Sequence, residues 1–170
     1  MTRTFNIRMV FRTMGALLLI EAVFMTLALG VSLWYNEPDN GVFLLSPIIT
    51  LLAGIIGLSI GRRAESRMGE REGYVIVAMV WVVFSAFGLL PYYLSGQVPT
   101  LTDAWFESMS GFTTTGATII PDLEVITHGL LFWRSLTQWI GGMGIIVLSI
   151  AILPIFGLNG MQLYAAEVSG

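Results

Sequence analysis

Ala104-Trp105-Phe106-Glu107-Ser108-Met109-Ser110-Gly111-Phe112-Thr113-Thr114-Thr115-Gly116-Ala117-Thr118 is the stretch on which the reading of the whole chain turns. Its first half reads as a short helix. Thr102 or Asp103 supplies the N-cap, Ala104 to Ser110 follow, and Gly111 is placed to end it. Ten helical residues rise about 15 Å, half of a hydrocarbon core of about 30 Å. A helix of that length does not cross a bilayer. The second half, Phe112 to Ala117, is small and polar with a central glycine. Gln97-Val98-Pro99-Thr100 reads as a turn before the helix, and Pro121-Asp122 as a turn after it.

Long apolar runs flank this stretch. Four are long enough to span: about Met14 to Trp34, Val42 to Ile60, Tyr74 to Leu94 and Leu130 to Phe156. Trp34, Tyr35, Tyr74, Tyr92 and Tyr93 fall near their ends, where amphipathic rings settle at a membrane surface. The chain is 55% hydrophobic and 11% charged, a balance no soluble domain of this size sustains. The basic start before the first run raises a signal peptide, but the run's length and its internal Glu21 favour a retained helix. The reading is an all-α membrane protein. A two-helix hairpin, 1–64, precedes a unit of helix, half-helix, extended segment and helix, 65–170.

The charges set an orientation. Lysine is absent. Arg3, Arg8 and Arg12 precede the first span, and Arg62, Arg63, Arg67 and Arg71 lie between the second and third. The other connections carry acids alone: Glu37 and Asp39, then Asp103, Glu107, Asp122 and Glu124. Positive-inside bias places the N-terminus and the Arg62–Arg71 loop in the cytoplasm. The short helix then enters the bilayer from outside and turns back. No basic face suits nucleic acid, and the absence of cysteine excludes disulfides and thiolate chemistry.

Thr113-Thr114-Thr115-Gly116 is the segment with chemistry. A potassium ion sheds its water only where a ring of oxygens of similar field strength replaces it. Successive backbone carbonyls supply such oxygens if the backbone takes unusual dihedrals, which glycine adopts freely, and threonine adds a hydroxyl on a stiff side chain. The C-terminal end of the preceding helix, near Gly111, adds partial negative charge. Irregular backbone at membrane depth is tolerated only where it lines a cavity or is buried in protein. On its own the tetrapeptide reads first as a polar surface turn; its place after a short capped half-helix and between two spans reverses that and favours an ion path.

Two blocks carry a family resemblance: Phe106 to Thr118, and Trp133-Arg134-Ser135-Leu136-Thr137-Gln138-Trp139-Ile140-Gly141-Gly142-Met143-Gly144-Ile145. The chain resembles the Trk/Ktr/HKT superfamily of potassium transporters, closest to the bacterial Trk-type membrane subunit. The resemblance implies potassium uptake across the cytoplasmic membrane, through a pore of four non-identical repeats in one polypeptide. It implies that a glycine at the position of Gly116 accompanies potassium preference, with Thr113, Thr114, Thr115 and Gly116 forming one filter quadrant. Only one filter segment is present, so the chain is expected to be the N-terminal hairpin and first repeat of a longer protein. Expected partners are membrane lipid, the remaining repeats, a second copy of the full-length protein and a cytosolic nucleotide-binding subunit. The expected ion is potassium, and no enzymatic role is expected.

Other residues complete the reading. Glu107 is expected to brace the filter, with Arg134 as its partner or that of Asp122. Gly141, Gly142 and Gly144 allow close approach of a helix or of the filter backbone. Glu21 reads as a protonated or hydrogen-bonded carboxyl at a helix contact, in a hairpin that the resemblance sets away from the pore. His128, the one histidine, lacks companions for a metal site. Ser110 with His128 is the one pair a membrane protease could use, and Ser110 sits beside the filter instead. The Arg62–Arg71 loop reads as a solvated, topology-setting turn. A complete small homotetrameric channel and a non-transporting scaffold subunit are the competing functions.

Overall fold

The computed structural model describes residues 6–64 and 70–152. All regular structure among them is helical. Helix α1 spans Ile7–Trp34 and α2 Asn40–Ile60, followed by a 3-10 turn at Gly61–Arg63; α3 spans Glu70–Gly88, α4 Leu90–Leu94, α5 Leu101–Phe112 and α6 His128–Ile152. The stretches Ile7–Trp34, Asn40–Arg63 and Gly73–Leu94 are each long and apolar enough to cross a membrane. The fourth expected span falls on α6, whose described part is not among these three; its expected end at Phe156, the Arg67 side of the basic loop and Arg3 lie outside the described residues.

Helices α1 and α2 run antiparallel, and small residues set how closely. A Cβ on Gly15 would lie 2.6 Å from Leu58 N and 2.7 Å from Gly54 O, and one on Gly57 3.0 Å from Gly15 Cα. Lipid supplies no hydrophobic drive between helices, so close backbone contact is what holds such a pair. The outward face of α2, including Leu44, Ile48, Leu52 and Ile56, is exposed and suits lipid.

The expected third span is interrupted at Leu89. Pro91 brings no N–H and crowds the carbonyl four residues back. The neighbouring Gly88 carbonyl accepts from Trp133 Nε1 of α6 at 2.9 Å. Helix α5 begins earlier and ends later than the sequence suggests. Thr100, extended at φ −114° and ψ 150°, is the cap, its hydroxyl accepting from Asp103 N at 3.1 Å. Neither Thr102 nor Asp103 caps, because both already lie inside the helix. At 12 residues α5 is about 18 Å long, still far short of a span.

The core gathers behind α5. Phe112, Trp133, Tyr92, Ala104 and Leu130 are fully buried there, with Phe112 against Phe84 (centroids 5.3 Å) and Trp133 (6.3 Å). The hairpin packs on the helices that follow it: α1 lies against α3 and α6, with Phe24 edge-on to Trp139 at 6.1 Å. Glu21 is 1% exposed at this contact, and neither carboxyl oxygen has a hydrogen-bond partner among the described residues.

Candidate functional site

Helix α5 stops through its own backbone. Thr114 N donates to Gly111 O (2.9 Å) and Thr115 N to Ser110 O (3.0 Å). These are the two bonds of a Schellman ending, which needs a left-handed residue, ordinarily glycine, just past the cap. Thr114 fills that place, at φ +57°. A β-branched residue there is strained by about 1–2 kcal/mol. Gly111, expected as the terminator, lies inside the helix. It is small for another reason: a Cβ would sit 2.2 Å from Thr137 Oγ1 of α6.

The chain then leaves in an irregular path with a second left-handed residue, Gly116, at φ +74°. No heavy atom would obstruct a Cβ on Gly116, so glycine is required there by backbone conformation and not by space. Ser110 holds the segment from within: its carbonyl also receives Gly116 N at 3.4 Å, and its hydroxyl donates to Ala117 O at 2.7 Å. The Thr113 hydroxyl donates to Met109 O (2.7 Å) and lies 2.9 Å from Thr115 Oγ1.

Glu107 fastens the far end. It is 1% exposed. Oε1 accepts from Thr118 Oγ1 (2.5 Å) and Ile119 N (2.6 Å), and Oε2 pairs with Arg134 Nε at 3.4 Å. Arg134 in turn donates to Gly116 O at 3.3 Å. One ion pair therefore joins α5, α6 and the segment between them; Asp122 takes no part, and its carboxylate accepts from Glu124 N in a local turn. With Gly116 O and Ala117 O engaged, the carbonyls of Thr113, Thr114 and Thr115 receive no hydrogen bond among the described residues. Thr114 and Thr115 are exposed.

Of Gly141, Gly142 and Gly144, only Gly141 makes the close approach expected of all of them. A Cβ there would lie 2.0 Å from Phe112 O, whereas Gly142 and Gly144 meet their nearest neighbours at ordinary distances of 3.8 and 3.7 Å. Ser110 and His128 do not meet. The His128 ring stacks on Tyr35 (centroids 3.9 Å) and touches Glu37 at 2.8 Å, and no cluster of metal-binding side chains occurs among the described residues. Glu37 also caps α6, accepting from His128 N (2.6 Å) and Gly129 N (2.9 Å). Partial burial pushes its pKa up, but the bonds from Gly129 and His128 outweigh this, and the net shift is downward. Beside it, Thr127 Oγ1 donates to Asp39 Oδ2, and Gln97 holds Thr127 by both its oxygen and its nitrogen. The roles of Ser110, Thr118, Thr137 and Trp133 went unread; all lie in the two quoted blocks, but spacing alone does not say which side chain reaches which atom.

A family model described as a cation transport protein, TrkH, matches residues 42–170. The chain belongs to the TrkH family. It is 42% identical over 166 residues to the Trk system potassium uptake protein TrkH of Salmonella typhimurium, covering 97% of this chain and 34% of that protein. The same-named Escherichia coli K12 protein is 40% identical with the same coverage. The crystal structure of the potassium transporter TrkH from Vibrio parahaemolyticus superimposes with a TM-score of 0.85 at 37% identity, over 96% of this chain and 35% of that one. The chain thus spans about a third of the length of its relatives, and it is an integral membrane protein by family and by its apolar helices.

Proposed function

We propose that this chain forms the first quarter of a potassium pathway in a longer Trk-type uptake protein of the cytoplasmic membrane. In this reading α5 is a pore helix, Thr113–Gly116 the first selectivity-filter quadrant, α3 and α6 its flanking helices, and 1–64 a leading hairpin beside the first repeat, 65–170. The observation that carries it is the row of unclaimed carbonyls at Thr113, Thr114 and Thr115. They sit at the end of a helix too short to cross, in backbone that enters the left-handed region twice. Carbonyl oxygens left free at membrane depth are costly unless a cation or water meets them. Three further quadrants from the same polypeptide complete the ring. The N-terminus and the Arg62–Arg71 loop face the cytoplasm, where a nucleotide-binding subunit has access, and the whole protein works as a homodimer.

The experiment is Gly116→Ser in the full-length protein. A side chain at φ +74° is strained by about 1–2 kcal/mol, while Arg134 tethers the Gly116 carbonyl and limits how the backbone relaxes. Potassium affinity and the potassium-to-sodium uptake ratio should both fall in a host lacking other potassium uptake, with protein level retained. Unchanged affinity and ratio would reduce Thr113–Gly116 to a polar turn.

A further inference from the structure

We infer that the basic end of the hairpin is a binding site for an anionic phospholipid, phosphate on the arginines and acyl chain in the adjoining groove. Two separate observations meet there. The first is charge. Arg8, Arg12, Arg62 and Arg63 are all exposed, and none pairs with a carboxylate among the described residues. They are brought together by the close packing of α1 on the 3-10 turn: a Cβ on Gly61 would fall 2.4 Å from Arg12 Cβ. Arg8 and Arg12, four apart, share one face of α1.

The second observation is a groove of about 490 Å³ between α1, α2 and α3 that opens beside these arginines. Ile7, Phe11, Met14, Ile60, Val75 and Met79 lie along it, and its whole lining is apolar side chains and glycine. Its end at Ile7, Phe11 and Ile60 lies at the level of Arg8, Arg12 and the Gly61–Arg63 turn along the helices, so the arginines stand at the head of an interior that is hydrocarbon-like. Along α1 the groove runs from Ile7 to Leu18, a rise of about 16 Å toward the bilayer centre.

That pairing selects the occupant. A soluble protein does not follow the groove to hydrocarbon depth. A second copy of this chain would set arginine against arginine. A zwitterionic lipid fills the groove but cancels its phosphate with its own amine. An anionic lipid satisfies both halves. Each arginine near an anionic surface contributes about fivefold in affinity, from about 1 kcal/mol apiece. The inference needs the chain to sit in a bilayer but not to conduct, and so it stands or falls apart from the potassium reading.

The test uses the full-length protein in mild detergent, stripped of lipid and then offered phosphatidylglycerol or phosphatidylcholine of identical chains, with retention read by native mass spectrometry. Phosphatidylglycerol should be retained at least tenfold better. R12Q/R62Q/R63Q should abolish that preference, and R12K/R62K/R63K should keep it. Met79→Trp, which fills the groove from an exposed lining position, should lower retention of the long-chain lipid whether or not the glutamine variant folds. Millimolar inorganic phosphate should not compete. Equal retention of the two lipids, an unchanged preference in a folded R12Q/R62Q/R63Q, retention unaffected by Met79→Trp, or displacement by phosphate alone would each overturn the inference.

Discussion

Replacing Gly141 by alanine tests the packing that positions the Thr113–Gly116 segment. The added Cβ lands 2.0 Å from Phe112 O and 2.7 Å from its carbonyl carbon. The obstacle is backbone, so no rotamer change relieves it. Restoring an ordinary contact requires α6 and the end of α5 to part by about 1.4 Å. Phe112 is held from the other side by Phe84 of α3, so α6 is the element that moves, carrying Trp133 and Arg134 with it. The Arg134 bonds, 3.4 Å to Glu107 and 3.3 Å to Gly116 O, already lie near the outer limit for a hydrogen bond. Overpacking costs about 1–3 kcal/mol, and losing charge-assisted bonds adds a comparable amount. Potassium uptake at limiting potassium should drop steeply in Gly141→Ala, with a lowered potassium-to-sodium ratio and a lower unfolding temperature of the extracted protein. Gly142→Ala and Gly144→Ala, where a Cβ meets only ordinary contacts, should stay within about 0.5 kcal/mol of the parent. If Gly142→Ala proves as harmful as Gly141→Ala, or Gly141→Ala transports normally, the assigned contact is wrong.

Three more outcomes follow from the same geometry. Thr114→Gly should raise stability by up to about 1 kcal/mol, since glycine is unstrained at φ +57°; chemical denaturation of the extracted protein reads this, and a loss of stability argues against strain. Arg134→Gln should cost about 3–5 kcal/mol by leaving the buried Glu107 charge unpaired, and Glu107→Gln in the same chain should recover part of it; absence of any recovery in a double-mutant cycle contradicts the pairing. Glu37 has a pKa below its unfolded value, so its contribution is present above the unfolded pKa of about 4.3 and is lost as pH falls through the lower folded value. Glu37→Gln should therefore flatten the fall of unfolding temperature on acidification below about pH 4, and an unaltered slope refutes the capping role.

Helix length and hydropathy were legible in the sequence because both are local. The short helix betrayed itself by having polar, glycine-bearing residues where a span needs apolar ones. The Glu107–Arg134 contact was readable because a buried charge calls for a partner and the candidates were few. Contacts that depend on packing distance were not readable. Nothing in Gly141-Gly142-Met143-Gly144 tells which glycine meets the Phe112 carbonyl, since helix phase decides that. Nor does sequence announce a left-handed threonine: Gly111 looks like the terminator, but glycine stands there because a Cβ would meet the Thr137 hydroxyl, and the helix ends at Phe112 with Thr114 left-handed beyond it. The small-residue seam of Gly15, Gly54 and Gly57 went unread because its members sit on different helices.

Ser110 grips the next turn of chain at three points: its carbonyl takes two amide protons and its hydroxyl ties down a third residue. The extended stretch is thus indexed to the rotational phase of α5. One residue inserted or deleted between Glu107 and Ser110 would swing everything downstream by about 100° around the helix axis, aiming the free carbonyls at a neighbouring wall. Residues 107 to 118 consequently form an indivisible cassette. A chimera that exchanges the whole block between relatives should inherit the donor's ion preference, while a crossover inside it should inherit neither parent's.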